Sequence, residues 1–346
     1  MPIARGESIP SGMQTTSAIP RHRRWLLIDI SFAPDLVRWI DFGDEWCSEP
    51  FFEQTIQRLK TATPPHPEQV TTTQTLVDLA AQAPSRLPAG VIFHVSRCGS
   101  TLLTNVLRTG AQVWILSEAT PLGRLFFQEA MDRIGGPASG REEARKSVLN
   151  SFVSLHAESS AGDPRRVVIK CHALNIMDIQ FVRSLWPTVP FIVVIRDPIE
   201  VIASNLDGPA GWVDVGRRSV LAAQRFGWTD RIDPETTIQE CCARGLGSFY
   251  AMAESAIGGD CKIIDYSQLT FTNIRKIADG FGIDMPKSET PQVVSAFAKY
   301  AKDPTGATRF ESDVLKKRST CSGDVLALAE RWALAPYCRL RNLSVW

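Results

Sequence analysis

From residue 90 onward, the chain alternates short apolar runs with longer segments of helical character. The apolar runs predict five strands, Val91–Val95, Val113–Leu116, Arg166–Cys171, Pro190–Arg196 and Lys262–Tyr266. Most of the runs are continuous rather than alternating, which is typical of parallel strands covered on both faces. Helices are predicted between and after them, near Ser100–Thr109, Gly140–Glu158, Ile176–Trp186, Pro198–Asn205, Pro234–Ala256 and Thr272–Phe281. The pattern predicts a three-layer α/β/α domain with a central parallel sheet over residues 89–346.

The chain before this domain has a different character. Residues 1–20 are polar and rich in small residues, which indicates a flexible arm. Residues 21–88 contain several aromatic side chains and two predicted helices, one from Pro50 and one in the stretch TQTLVDLAAQA. We interpret this section as a small N-terminal appendage, either a lid or an oligomer contact. A homo-oligomer is left open.

The composition excludes several classes of partner. Among the 346 residues, 38 Lys and Arg face 37 Asp and Glu, so the net charge of +1 favours neither nucleic acid nor an anionic membrane. The apolar run that starts at Trp25 is interrupted by Asp29, far too early for a signal core or a membrane span. The eight cysteines lack the paired spacing of a zinc site, so we expect no metal, reduced thiols and a cytoplasmic protein.

The stretch SRCGST, residues 96–101, follows the first predicted strand and opens a helix. Backbone amides at a helix start form an anion site, Gly99 permits close approach, and Ser100 and Thr101 add hydroxyl donors. The nucleotide-binding pattern GxxxxGK[ST] is incomplete here, because its first glycine is missing and Ser100 replaces its lysine. Arg97 is therefore the charge that can reach a bound phosphate. A plain strand-to-helix connection with a capping serine is the alternative.

Two further strand ends carry polar residues. Lys170 and His172 end one strand, placing a cation close to a titratable base, although a lone histidine is more often structural. Arg196 ends the next strand in the sequence RDP, and Ser204 follows eight residues later on a helix. An Arg–Asp cap with a solvent-facing serine is the alternative interpretation of that pair.

The three motifs in this order resemble the sulfotransferases that use 3′-phosphoadenosine 5′-phosphosulfate (PAPS), bacterial-type members included. The resemblance covers about residues 90–285. It implies that the loop binds the 5′-phosphosulfate through Arg97, Cys98, Gly99, Ser100 and Thr101. A late stretch, Tyr266-x-x-Leu269 before an amphipathic helix, is also similar to the family.

For the other two motifs, the resemblance implies that His172 is the catalytic base and that Lys170 assists. Arg196 and Ser204 match the residues that grip the 3′-phosphate in the family. The expected function is sulfuryl transfer from PAPS, as co-substrate and without metal, to a hydroxyl or amine of a small-molecule acceptor. Imidazole side chains commonly act as general bases, so the chemistry of His172 suits the role that the resemblance implies.

Some features depart from the family or stay open. Arg97 and Cys98 replace the loop lysine and serine of many members, and no late R-K-G clamp is visible; the basic stretch at 316–318 is the nearest substitute. Glu118, after the second strand, either orients the acceptor or caps its turn, and His94 is predicted to be a core residue. The alternative functions are a P-loop kinase or nucleotide-binding protein and a non-catalytic module of the same fold.

Overall fold

The computed structural model describes residues 25–32, 34–43, 45, 47–126, 141–157, 165–206, 208–218, 220–228, 236–299, 301–303, 307–309, 322–344 and 346. Within these ranges the strands form two sheets. One has three strands in the order β1-β2-β3, and the other has five strands in the order β5-β6-β4-β7-β8. The predicted arm at 1–20 and the basic stretch at 316–318 lie outside the described residues.

The first sheet is antiparallel and lies in the N-terminal section. Its strands are β1 (Trp25–Phe32), β2 (Asp35–Asp41) and β3 (Glu68–Thr71). Helices α1 (Phe52–Thr61) and α2 (Thr73–Ala80) accompany the sheet. The two helices were predicted from the sequence, whereas the three strands were not.

The second sheet is parallel throughout and consists of β4 (Gly90–His94), β5 (Val113–Ser117), β6 (Arg166–Lys170), β7 (Phe191–Ile195) and β8 (Cys261–Asp265). Every residue of β4, β5 and β7 is buried, as a sheet covered on both faces requires. The five predicted strands and the α/β fold class are confirmed, with strand ends shifted by one residue.

The helices lie between and after these strands. They are α3 (Ser100–Leu107), α4 (Arg141–Ala157), α5 (Ile179–Leu185), α6 (Pro198–Leu206), α7 (Gly211–Arg218), α8 (Val220–Arg225), α9 (Ile238–Ser255), α10 (Phe271–Gly280), α11 (Pro291–Ala298), α12 (Gly323–Trp332) and α13 (Leu334–Asn342). A 3₁₀ turn over Ala173–Asp178 precedes α5, and residues 120–126 are also helical. The six predicted helices are thus present, the third split into a 3₁₀ turn and a helix.

The strand order determines where a ligand would bind. The chain after β4 continues to β5 on one side of the sheet, whereas the chain after the neighbouring β7 continues to β8 on the other side. In open parallel sheets, the crevice at such a switch point is the usual ligand site. All three sequence motifs follow strands at this edge, after β4, β6 and β7.

The N-terminal section packs against the parallel sheet by an ion pair and an aromatic contact. Arg124 Nη1 lies 2.6 Å from Asp29 Oδ1 of β1. The rings of Phe42 and Trp114 meet edge to face with centroids 5.3 Å apart. Phe51 of the same section lies close to the carboxyl edge of the sheet, with its ring centroid 4.8 Å from Lys170 Nζ.

Candidate active site

The loop after β4 has an unusual backbone conformation. Ser96 and Arg97 adopt φ angles of 71° and 50°, and Gly99, which caps α3, has a φ of 82°. For residues other than glycine, such angles are held only when the surrounding structure imposes them, and they concentrate at ligand sites. The first amides of α3 have no acceptor within the helix, so the loop presents donors to an anion.

Gly99 is required here for space as well as for its φ angle. A Cβ atom on Gly99 would lie 2.7 Å from Leu269 Cδ1 and 2.7 Å from Tyr266 Cδ2. Both residues follow β8 and belong to the Tyr-x-x-Leu stretch noted in the sequence. The stretch therefore forms the wall against which the loop is folded.

We expect Gly99→Ala to destabilise the protein by about 1–3 kcal/mol, because the new methyl group adds overpacking to backbone strain. Gly280→Ala is the matched control, since a Cβ there has nothing within 4 Å and the φ angle is ordinary. Chemical denaturation of both variants measures the difference. Equal stability of the two variants would show that the loop can move away from Tyr266 and Leu269.

Cys98 contributes to the core rather than to reactivity. Its side chain is fully buried, and burial raises the pKa of the thiol. Cys171, in the K-C-H motif, is also buried, and burial raises its pKa as well. Neither thiol has the exposed, anionic character of a reactive cysteine. Any contact of Cys98 with a ligand is therefore through its backbone.

Arg97 extends from the loop toward the segment after α6. Its Nη2 atom donates a 2.5 Å hydrogen bond to the carbonyl oxygen of Gly208. The guanidinium is half-buried, so it remains accessible from the crevice. The loop thus carries a fixed cation beside the start of α3.

Lys170 ends β6 in a fully enclosed position, with 1 % of its surface exposed. Its Nζ donates to Glu118 Oε1 at 2.5 Å and to Thr101 Oγ1 at 3.2 Å. The ring of Phe51, from the appendage, lies with its centroid 4.8 Å from Nζ. The ammonium is therefore held by the loop hydroxyl, a carboxylate and an aromatic face at once.

Glu118 follows β5 and occupies the centre of this cluster. Its φ angle is 52°, and its amide donates to the carbonyl oxygen of Lys170 at 2.8 Å. Burial alone would raise the pKa of its carboxyl, but the charge of Lys170 and hydrogen bonds from His172 and His94 hold the pKa well below its usual range. The carboxylate therefore stays ionised and is a weak proton acceptor.

This depressed pKa predicts how stability depends on pH. A carboxylate whose pKa is lower in the folded state stabilises the protein above its unfolded value of 4.5, and the contribution is lost as the pH falls further. We expect Glu118→Gln to cost about 3–5 kcal/mol at pH 7, because it leaves the buried Lys170 charge unpaired. The difference from the parent protein should shrink below pH 4.5.

Denaturation in urea between pH 7 and pH 3 tests this expectation. Glu254→Gln serves as the control, because Glu254 bonds Arg339 at 2.7 Å on the surface, where such pairs contribute at most about 1 kcal/mol. A penalty for Glu118→Gln that stays constant down to pH 3 would contradict the assigned ionisation.

His172 lies next to Glu118 at the mouth of the cluster. Its Nδ1 atom is 3.5 Å from Glu118 Oε2, and its side chain is 38 % exposed. A Cβ atom on Gly123 would lie 3.1 Å from His172 Nε2, so the absence of a side chain there leaves room for the ring. An Nδ1–H directed at Glu118 would leave the lone pair on Nε2, the nitrogen that lies near Gly123.

His94 is confirmed as a satisfied core histidine. Its Nδ1 accepts a 3.1 Å hydrogen bond from the amide of Ser96, so Nε2 carries the proton and donates to the carbonyl oxygen of Cys171 at 3.0 Å. Burial lowers the pKa of this imidazole. His94 thus joins the loop to the K-C-H strand.

Arg196 is more firmly embedded than the sequence indicated. Its Nε donates to Glu200 Oε2 at 2.8 Å, its Nη1 donates to the carbonyl oxygen of Arg97 at 3.0 Å, and its guanidinium lies 4.1 Å from the ring centroid of Tyr266. Arg196 therefore supports the phosphate loop directly. Ser204 lies on α6, partly exposed.

The structure shows two contributors that the sequence motifs did not indicate. Phe51 approaches the site from the appendage, as described above. Lys302 follows α11, and burial lowers its pKa to about 8, with smaller contributions from the charges of Arg97 and Lys170. No group of three or more metal-binding side chains occurs among the described residues. In the same part of the chain, no helix is long and apolar enough to cross a bilayer.

Matches to known proteins come from solved structures alone. No protein-family model and no curated protein match the chain. A sulfotransferase from Alicyclobacillus acidocaldarius is 12 % identical, with a TM-score of 0.37 over 71 % of this chain and 95 % of that one. The sulfotransferase domain of the curacin biosynthetic pathway is 16 % identical, with a TM-score of 0.40 over 71 % and 98 %.

Retinol dehydratase, crystallised with androsterone and the inactive cofactor PAP, is 13 % identical, with a TM-score of 0.35 over 74 % of this chain and 83 % of that chain. At these identities and TM-scores, the similarity does not establish an activity for the present chain.

Proposed function

We propose that the protein transfers the sulfuryl group of PAPS to a hydroxyl or amine of a small-molecule acceptor, with His172 as general base. One observation carries this proposal. A histidine oriented by a carboxylate lies beside a strained phosphate-type loop that has cations on two sides, from Arg97 and Lys170. The cluster combines proton acceptance with stabilisation of a phosphate leaving group.

The reaction requires one proton transfer and one displacement. His172 Nε2 takes the proton of the acceptor hydroxyl or amine as the acceptor atom forms its bond to sulfur. The bond from sulfur to the bridging phosphate oxygen breaks, and that oxygen keeps the electron pair. The products are the sulfated acceptor, adenosine 3′,5′-bisphosphate (PAP) and a protonated imidazole, which later loses its proton to solvent.

The loop and Lys170 act on the leaving group. Negative charge develops on the bridging oxygen, and preorganised donors in a site with little water stabilise such charge strongly. Lys170, Thr101 Oγ1 and the amides at the start of α3 lie together on this side. Arg97 supplies a second positive charge beside the leaving group, so the proposed reaction requires no metal ion.

Glu118 is assigned the positioning role and His172 the proton acceptor role. The carboxylate of Glu118 is neutralised by the buried ammonium of Lys170, which lowers its pKa and makes it a poor base. The same carboxylate fixes the ring of His172 by its contact with Nδ1. This arrangement matches the general pattern in which a third group orients the base.

The 3′-phosphate is assigned to Arg196 and Ser204, the second of which lies two turns along α6. Arg196 also donates to the carbonyl oxygen of Arg97 in the phosphate loop. Arg196 would therefore link the proposed site of the 3′-phosphate to the loop proposed to bind the 5′-phosphosulfate. Its existing bond to Glu200 means that a 3′-phosphate would share the guanidinium with that carboxylate.

Transfer of labelled sulfate tests the proposal. The purified protein is incubated with [³⁵S]PAPS and separate panels of aliphatic alcohols, phenols, amines and sugars, without divalent metal. We expect label in at least one acceptor class and loss of that transfer in His172→Ala. Tight binding of PAP without transfer to any panel would instead identify a non-catalytic binding module.

A further inference from the structure

The ammonium of Lys170 meets an aromatic ring as well as two oxygen atoms. A lysine ammonium has three N–H donors. Among the described residues, two oxygen atoms accept hydrogen bonds from Lys170 Nζ, Thr101 Oγ1 at 3.2 Å and Glu118 Oε1 at 2.5 Å. The ring of Phe51 is a third close neighbour, with its centroid 4.8 Å from Nζ. Because Lys170 is only 1 % exposed, the ring lies where water would otherwise meet the third donor.

A short turn of the N-terminal section holds Phe51 in place. Phe51 is the residue that caps the start of α1. Its amide donates to Gln54 Oε1 at 3.1 Å, and its carbonyl oxygen accepts from the amide of Gln54 at 3.1 Å. Shortly before it, Glu49 accepts hydrogen bonds from Arg58 Nε at 2.5 Å and from Thr55 Oγ1 at 2.6 Å. These bonds tie the turn to α1, so the backbone that carries the ring is fixed before any ligand binds.

The N-terminal section is attached to the strand connection that supplies Glu118. Its ion pair and its aromatic contact with the main domain involve Arg124 and Trp114, respectively. Trp114 lies on β5, Glu118 directly follows that strand, and Arg124 comes shortly after Glu118. The section that supplies Phe51 is therefore anchored on both sides of the carboxylate that pairs with Lys170.

The cluster has a closed side and an open side. Lys170 is 1 % exposed, whereas the side chain of His172 is 38 % exposed. Opposite charges attract each other more strongly where water is excluded, because the effective dielectric constant is lower. An ammonium that has lost its hydration shell during folding also needs no further desolvation when an anion binds. A ring beside Lys170 therefore strengthens the attraction between the ammonium and a bound phosphate.

We propose that Phe51 is a positioning residue of the site, whose ring keeps water from the ammonium of Lys170 and holds that group ready for the 5′-phosphate of PAPS. This proposal rests on the proposed function. It makes the N-terminal section a fixed wall on the leaving-group side of the site. Phe51 forms no bond with the reacting atoms and acts through Lys170 alone.

Proton exchange between the Lys170 ammonium and water measures the shielding directly. In protein that contains ¹⁵N-labelled lysine, the ¹H–¹⁵N signal of this ammonium is assigned by its loss in Lys170→Met. We expect slow exchange in the parent protein and in Phe51→Tyr, which keeps the ring, and exchange faster by about 10-fold or more in Phe51→Ala. The matched control is Thr71→Val, which removes the hydrogen bond from Trp39 Nε1 inside the N-terminal sheet and should leave the exchange slow.

Calorimetry of PAP binding measures the consequence for the anion site. Phe51→Ala should weaken PAP binding by about 3-fold to 30-fold, the range of a desolvated contact between a cation and an aromatic ring. Phe51→Tyr and Thr71→Val should stay within about twofold of the parent protein. Thermal unfolding checks each variant, and Phe51→Leu takes the place of Phe51→Ala if the latter does not fold, with changes in the same direction.

The outcomes separate the two proposals. Exchange in Phe51→Ala that is as slow as in the parent protein, or an unchanged affinity for PAP, overturns the role of Phe51 and leaves the proposed function intact. Rapid exchange in the parent protein itself has the same meaning. No binding of PAP by the parent protein contradicts the proposed function, while the exchange measurement, made without ligand, still decides whether Phe51 shields Lys170.

Discussion

Replacement of His172 by alanine should slow sulfuryl transfer by roughly 10²–10⁴-fold, the usual contribution of a general base. The affinity for PAP should change little, because Nδ1 lies beside Glu118 and the proposed mechanism places Nε2 toward the acceptor rather than toward PAP. Turnover and PAP binding measured on the same preparation separate these two effects.

Two controls make this result specific. His66→Ala removes a histidine of the N-terminal section that bonds the carbonyl oxygen of Asp41, and it should leave turnover unchanged. Added imidazole should restore part of the activity of His172→Ala, because the lost side chain leaves space for a diffusible base. Near-normal turnover in His172→Ala would show that another group accepts the proton.

Lys170→Met should lower the turnover number by roughly 10²–10³-fold, as removal of a preorganised donor to a developing oxyanion does. In Lys170→Met, an uncharged side chain fills the space between Thr101, Glu118 and the Phe51 ring, where the ammonium of Lys170 lies in the parent protein. Stability should also fall, because Glu118 loses its counter-charge. Steady-state kinetics and denaturation on the same variant give both quantities.

A double variant separates the chemical effect from the structural one. Lys170→Met with Glu118→Gln removes both charges together, and replacement of a whole buried pair is often close to neutral for stability. We expect stability to recover while turnover stays low. Recovery of both would mean that Lys170 acts only through the integrity of the cluster.

The parallel sheet was predictable because its strands are short, continuous apolar runs bounded by polar turns. The motifs at the carboxyl ends of β4, β6 and β7 then fall at one edge by topology alone. The positions predicted from the sequence for the loop, after β4, and for His172, after β6, therefore agree with the structure. It left the role of Glu118 undecided, since its central position depends on side-chain contacts across β5 and β6.

The antiparallel sheet of the appendage was missed for a physical reason. The pairing of β1 with β2 shifts register between Leu27 and Asp29, so a bulge interrupts the alternation of apolar and polar residues that identifies a strand. Trp39 on β2 donates to Thr71 on β3 at 2.9 Å, a contact between residues far apart in the chain. Such pairings leave no periodic signal.

Phe51 and Lys302 were missed because each reaches the site from outside the βαβ core. Nothing in the local sequence around either residue shows that it will face Lys170 or Arg97. The late R-K-G clamp was absent from the sequence, and part of its expected region lies outside the described residues.

Ligand selectivity in the absence of metal tests the central claim most directly. Calorimetry in the presence of EDTA compares PAP with adenosine 5′-phosphate, and a parallel titration uses ATP with Mg²⁺. We predict that PAP binds without metal, at least 10-fold more tightly than adenosine 5′-phosphate because of its 3′-phosphate, and that ATP with Mg²⁺ binds weakly. Tight, magnesium-dependent binding of ATP, with no preference for PAP, would contradict the account and favour a kinase or nucleotide hydrolase.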